Sequence, residues 1–225
     1  MSDPPPARLQ VLTASASSGA VIFRRGPSWQ TASIRWDRSS HSIHLGQWLI
    51  GKVYSDRLDM SPSGNHMVYF AGTGRRGWWT AVSDAPWLTA RIFSPQRGTW
   101  YGGGAFAPNG GLLLTTRENT DIGTFKSGSV SDFPSSDLTS AKLMMRGWTP
   151  LPDDTTPIIY TKILGREWDL RCSLCYGPPN TLRLGYALFN RRTSELQVRP
   201  GWGNGLTGGK TICRWRCPAA SITPN

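Results

Sequence analysis

Residues Leu58–Phe70, LDMSPSGNHMVYF, place the turn Ser61-Pro62-Ser63-Gly64 between two apolar runs. Gly104–Thr115, GAFAPNGGLLLT, repeats this pattern about 46 positions later, within the period of about 40 to 50 residues that is typical of a β-propeller blade. A third, degraded copy has Leu151–Asp154 at the turn and Ile158–Thr161 as the outgoing strand. The recurrence predicts an all-β, β-propeller-like array of about four blades.

The chemistry of the two turns supports the repeat. Proline presets φ at the second turn position, and glycine takes the left-handed position that lets two strands pair again, as in Ser61–Gly64 and Ala107–Gly110. Such turns occur in every β protein, so a second landmark is needed. Trp79 and Trp168 follow their turns at nearly the same distance, and Phe125 is a weaker echo. The common phase favours blades.

The remaining runs are short and β-rich, and no stretch shows a sustained helical period. We predict blades over Arg8–Tyr54, Arg57–Trp100, Tyr101–Met145 and Arg146–Val198. The polar segment Asn119–Ser140 is interpreted as an excursion from the third blade. Four blades are few for a closed ring, so the array is expected to be small, open or incomplete at its carboxyl end.

Four stretches resemble a group of uncharacterised bacterial proteins, and the turn before an apolar strand resembles the repeats of TolB-like and WD40-like propellers. The stretches are Ala20–Ser28, Ile34–Asp37, Gly46–Trp48 and Trp79–Ser83. The resemblance spans residues 8–200. It implies a propeller fold and no particular activity.

Eleven tryptophans are many for 225 residues. Large aromatic side chains suit the packing between blades, so we predict that most of them are buried. The prediction is strongest for Trp36, Trp48, Trp79 and Trp168, and weaker for Trp78 and Trp87.

The net charge is +11 and the pI is near 10.1. Such an excess attracts polyanions, and paired arginines are candidate anion-binding residues. They are Arg24, Arg25, Arg75, Arg76, Arg191 and Arg192. No base-reading module is recognisable, so nucleic-acid binding is expected to be weak and salt-dependent.

Residues 1–7 are polar and proline-rich, and we predict that they are disordered. No apolar run follows that would serve as a signal or membrane span, so a cytoplasmic location without membrane association is expected. The four cysteines should then be reduced. Cys172 with Cys175 and Cys213 with Cys217 offer a four-thiolate zinc site in principle, but core or surface thiols are favoured.

The histidines His41, His44 and His66 do not combine with serine and aspartate into a catalytic order. Asp153 and Asp154 are interpreted as turn residues. We therefore predict no catalytic residues and no cofactor. A hydrolase or lyase with a site in a central channel stays an alternative.

Residues 201–225 break the pattern. Gly203–Gly208 matches Gly-x-Gly-x-x-Gly, but no strand-helix unit flanks it, so nucleotide binding is not favoured. The tail is predicted to be irregular, either because of a frameshift near Gly205 or because it is divergent. A final blade short of one strand would leave an open edge that invites self-association.

The residues favour a non-catalytic protein-interaction module, with an unidentified protein as partner. A weak polyanion-binding or nucleic-acid-binding protein is the alternative from another class.

Overall fold

The computed structural model describes residues 7–26, 29–74, 77–99, 101–115, 125, 137–151, 158–177 and 181–197, without the side chains at 175–177 and 181–183. The chain divides into two compact units, Met1–Gly147 and Trp148–Asn225. The described part is all-β, with four antiparallel sheets and one short α-helix. The predicted fold class is therefore confirmed at the level of all-β.

Sheet 1 is an antiparallel meander of four strands in chain order. The strands are β1 (Arg8–Thr13), β2 (Gly19–Arg25), β3 (Gln30–Asp37) and β4 (Ile43–Ile50). These bounds lie inside the predicted first blade.

Sheet 2 also follows chain order, with one short strand to the side of its path. It contains β5 (Lys52–Val53), β6 (Asp59–Met60), β7 (His66–Thr73), β8 (Gly77–Asp84) and β9 (Ala90–Gln96). A 3-10 turn, Ser55–Arg57, separates β5 from β6, and both strands pair with β7. Sheet 2 thus begins before the predicted second blade.

The predicted third blade differs from expectation in its described residues. It contains sheet 3, a two-stranded hairpin of β10 (Gly104–Phe106) with β11 (Leu112–Leu114), and the helix α1 (Leu138–Met145). Helix α1 was not predicted, because its apolar stripe spans only eight residues. Its caps were the available signal, since Asp137 accepts a hydrogen bond from the Ser140 amide and Gly147 ends the helix at φ +79°.

The second unit contains sheet 4, a five-stranded meander. Its strands are β12 (Thr149–Pro150), β13 (Ile158–Leu164), β14 (Trp168–Gly177), β15 (Thr181–Asn190) and β16 (Glu195–Gln197). Tyr160, Cys172 and Ala187 are buried along its central strands. The outgoing strand predicted for the third repeat is the start of β13.

Within the first unit, three layers pack face to face in chain order. One cluster joins Val21 and Phe23 of sheet 1 to Met67 and Tyr69 of sheet 2. On the other side of sheet 2, a second cluster includes Val68 and residues of the hairpin. A third cluster joins the hairpin to α1. Sheet 2 therefore has a neighbouring layer on each face.

The two predicted turns have the expected geometry. Gly64 lies at φ +78° and its amide donates to the Ser61 carbonyl at 2.9 Å. Gly110 lies at φ +83° and its amide donates to the Ala107 carbonyl at 2.8 Å. Both are four-residue turns closed by a left-handed glycine. The third turn, residues 152–154, lies outside the described residues.

The burial of the tryptophans is only partly as predicted. Trp79 is buried, and Trp36 and Trp168 are half-buried. Trp48 is wrongly predicted, because 54% of its surface is exposed. Strand position alone does not say whether a second layer covers the face on which a ring lies.

Candidate functional site

The structure separates the predicted pair Arg24 and Arg25. They are neighbours in β2, and successive side chains of a strand point to opposite faces. The Arg24 guanidinium donates to the Gly26 carbonyl at 3.2 Å. Arg25 lies on the face that packs against sheet 2, directly opposite Arg8 of β1. The pair is therefore not one cationic site.

Arg25 belongs instead to a cluster with Arg8 and Lys52. Burial and then the charge of Arg8 lower the pKa of Arg25. Burial, then the charge of Arg25, lower the pKa of Lys52; the charge of Asp56 opposes that shift, and the charge of Arg8 adds to it. Arg8 and Lys52 were not predicted, because only the pairing of β1 with β2 and the packing of β5 bring them to Arg25.

The predicted pair Arg191 and Arg192 lies in the turn between β15 and β16 and contacts the neighbouring turn between β13 and β14. Arg191 donates to the Gly165 carbonyl at 2.6 Å and lies 3.4 Å from Asp169. Arg192 is exposed and lies 3.9 Å from Glu167. Local contacts of this kind do not indicate a ligand site. Arg75 and Arg76 lie outside the described residues.

Exposed apolar side chains share the face of sheet 1 that points away from sheet 2, here called the outer face. Cross-strand pairs align its side chains in rows, since Val11 lies opposite Ile22, Ile22 opposite Ile34, and Ile34 opposite Leu45. The exposed members are Leu9, Val11, Ile43, Leu45, Trp48 and Ile50, of which Leu45 is 60% exposed. Contiguous exposed apolar surface of this kind marks interaction sites.

A β-bulge creates part of this surface. The register of β3 with β4 shifts between Ala32 and Ile34, where the Ser33 hydroxyl accepts from the Gln47 amide at 3.0 Å and lies 3.2 Å from the Gln47 carbonyl. A shift of one residue reverses which side chains face outward. It therefore puts Trp48 on the same face as Leu45, although three positions separate them.

The bulge is also the point where sheet 1 meets sheet 2. The Gln47 side-chain carbonyl accepts from the amides of Leu88 and Thr89 at 2.6 and 3.0 Å. A Cβ at Gly46 would lie 2.9 Å from the Pro86 carbonyl oxygen, so the backbones approach closely there. Strand β4 is thus held in place while its outer side chains stay exposed.

A buried polar network attaches α1 to β6 and to the segment between β5 and β6 in sheet 2. Asp59, 2% exposed, accepts from the Phe106 amide at 2.8 Å and pairs with Arg146. Lys142 donates to the carbonyls of Asp56 and Leu58 at 2.7 and 3.1 Å. Burial lowers the pKa of Lys142, while the charge of Asp59 opposes that shift. Because these groups satisfy one another, the network is structural.

His66 pairs with Asp84 across β7 and β8. The His66 Nδ1 lies 3.0 Å from Asp84, and the other Asp84 oxygen lies 2.6 Å from Arg91. The His66 ring also meets Phe125 edge-on at 4.9 Å. The Ser61 hydroxyl accepts from the His66 backbone amide and not from its ring. These contacts connect neighbouring strands of sheet 2. His41 and His44 lie apart from it, in the turn before β4 and in β4.

Among the cysteines, only the side chain of Cys172 is described. It is buried, and burial raises the pKa of its thiol to about 11. In the described part of the chain, no group of three or more His, Cys, Asp or Glu side chains could hold a metal ion. The Cys175 side chain and the whole segment 201–225 lie outside that part, so the predictions about the tail stay predictions.

Neither a protein-family model nor a curated protein matches this sequence. Within the described residues, no helix is long and apolar enough to cross a membrane.

Proposed function

We propose that the chain is a non-catalytic protein-interaction module with a β-propeller-like arrangement of sheets, and that the outer face of sheet 1 is its contact surface. The observation that carries the proposal is the set of exposed apolar side chains on that face. The propeller-like arrangement is supported by sheets 1, 2 and the hairpin packing in chain order.

The exposed side chains have the composition of an interface centre. Trp48 and Leu45 are large and apolar, and aromatic side chains are enriched among the residues that carry binding energy. Their strand is fixed by the bulge and by the Gln47 contacts. A partner would therefore meet a surface that needs little ordering on binding.

The net charge of the chain indicates which kind of partner would bind the outer face. The chain carries a net charge of +11, so a second copy would be repelled at long range. Arg24 lies in the same cross-strand row as Leu9 and Trp48. An acidic protein with an apolar centre fits both features, because opposite charges steer the encounter and apolar contacts hold the complex.

The test uses the full chain as bait in an extract of its native host, followed by affinity measurement with the purified partner. Leu45→Lys places a charge in the apolar rows and should weaken binding by about tenfold or more. Ile163→Lys is the matched control, since Ile163 is an exposed isoleucine of sheet 4.

Equal binding by the wild type and Leu45→Lys would overturn the contact surface. Equal loss in both variants would show a general effect of added charge. Size-exclusion chromatography with light scattering tests whether the partner is instead a second copy of this chain. A wild-type dimer that Leu45→Lys dissociates would identify a second copy, and not an acidic protein, as the partner.

A further inference from the structure

Three cations meet at the rim where sheets 1 and 2 pack together. Arg8 and Arg25 are opposite residues at one end of the β1–β2 pair. Two positions along β2, Phe23 already belongs to the shared core of the two sheets. Lys52 begins β5, the first strand of sheet 2, directly after Gly51, whose carbonyl accepts from the Thr31 hydroxyl at 3.0 Å, and Thr31 lies opposite Arg25. The cluster therefore draws on both sheets.

The arrangement is electrostatically unfavourable without a counter-ion. Like charges directly opposite each other in an antiparallel pair are destabilising. Arg25 and Lys52 are half-buried, which adds to the cost of their charges. In the part of the chain that the structure describes, no carboxylate lies within 4.0 Å of the charged nitrogens of Arg8, Arg25 or Lys52.

Aromatic rings fix one side of the cluster. The Lys52 Nζ lies 4.3 Å from the centre of the Tyr54 ring. The Tyr54 ring lies 4.8 Å from the ring of the fully buried Phe70. A cation over a ring is stabilised without being neutralised, so the Tyr54 ring restrains the Lys52 ammonium and supplies no counter-charge.

We propose that Arg8, Arg25 and Lys52 form a binding site for a phosphate-bearing anion. One guanidinium group can donate two parallel hydrogen bonds to the oxygens of a phosphate, and a lysine adds a point charge. A compact di- or triphosphate group suits the site better than one phosphate, because it presents several oxygens to three neighbouring cations. The site goes beyond the proposed protein contact and lies on the opposite face of sheet 1.

The experiment is calorimetric titration of the full chain with pyrophosphate at about 0.15 M salt, where exposed charges are well screened. Arg25→Gln and Lys52→Gln should each weaken binding by about tenfold. Arg24→Gln is the matched control, because it removes the same charge from the adjacent residue on the other face. It should change the affinity by less than about twofold.

Melting temperatures distinguish a variant that misfolds from one that has lost only the binding site. Removing one of several mutually repelling cations should leave the melting temperature of the free protein unchanged or raise it. Pyrophosphate should raise the melting temperature of the wild type and of Arg24→Gln, but not of Arg25→Gln.

Competition identifies the source of the phosphate. ATP that displaces pyrophosphate indicates a free nucleotide or phosphate ester, whereas displacement by a single-stranded oligonucleotide indicates a nucleic-acid strand. Equal losses in Arg24→Gln and Arg25→Gln would show attraction by net charge alone. That result, or the absence of pyrophosphate binding, would overturn the site without affecting the acidic-partner proposal.

Discussion

Sheets 1 and 2 follow each other in the chain and share one core, but they differ in how many of their faces are covered. In β7 of sheet 2, Met67 and Tyr69 pack toward sheet 1, while Val68 packs toward the hairpin. In sheet 1, Val21 and Phe23 are buried on the inner side, and Leu45 is exposed on the outer side. An apolar strand is therefore not by itself a core strand, because burial depends on a second layer.

The largest expected difference between covered and uncovered faces comes from two leucines. Leu112→Ala removes a buried side chain of the hairpin that packs over sheet 2, and should cost about 2 to 5 kcal/mol of unfolding free energy. Leu45→Ala on the outer face should change it by no more than about 0.5 kcal/mol. Urea unfolding of both variants measures the difference. A similar large loss for Leu45 would mean that the outer face is already covered.

The attachment of α1 beside the hairpin is tested through Asp59. Asp59→Ala removes the acceptor of the Phe106 amide and the partner of Arg146, and should cost about 3 kcal/mol. Asp56→Ala is the control, because Asp56 is exposed and lies 3.8 Å from Arg57. It should cost no more than about 0.5 kcal/mol. Equal effects in chemical unfolding would argue against a buried network.

The two repeat turns allow a finer comparison. Valine is strained at both Gly64 and Gly110, but only at Gly64 would the new Cβ meet other atoms, the Ser17 hydroxyl at 2.8 Å. Gly64→Val should therefore cost about 2 to 3 kcal/mol and Gly110→Val about 1 kcal/mol. Thermal unfolding of both variants measures which one loses more stability. The reverse order would contradict the contact between the Gly64 turn and sheet 1.

The smallest expected effect is the pH dependence of the folding stability that Asp84 of sheet 2 contributes. Hydrogen bonding from Arg91 lowers the pKa of Asp84, with further help from His66. A lowered carboxyl pKa stabilises the fold above the unfolded-state value of about 3.9, and this contribution is lost as the pH falls through the folded-state pKa. Denaturant midpoints between pH 6 and pH 2 should fall less for Asp84→Asn than for the wild type. If the denaturant midpoints of both proteins change equally with pH, Asp84 does not contribute to the pH dependence.

Local sequence was sufficient for the strands and turns. Gly64 and Gly110 take left-handed positions because the backbone of each turn requires them, whatever packs around it. The short helix α1 escaped detection because its caps, Asp137 and Gly147, were weaker signals than the lack of a long apolar period. The site was less predictable. Arg25 was identified, but Arg8 and Lys52 were not, since both are remote from it in the sequence.

What the sequence by itself determined is therefore the all-β class and the turns, because these depend on conformational preferences within a few residues. Only the tertiary structure decided that Trp48 is exposed, because the bulge and the absence of a described layer over it are properties of neighbouring strands. The tertiary structure likewise places Arg24 and Arg25 on opposite faces of sheet 1, and Arg25 on the same face as Arg8, because strand register sets which side chains share a face.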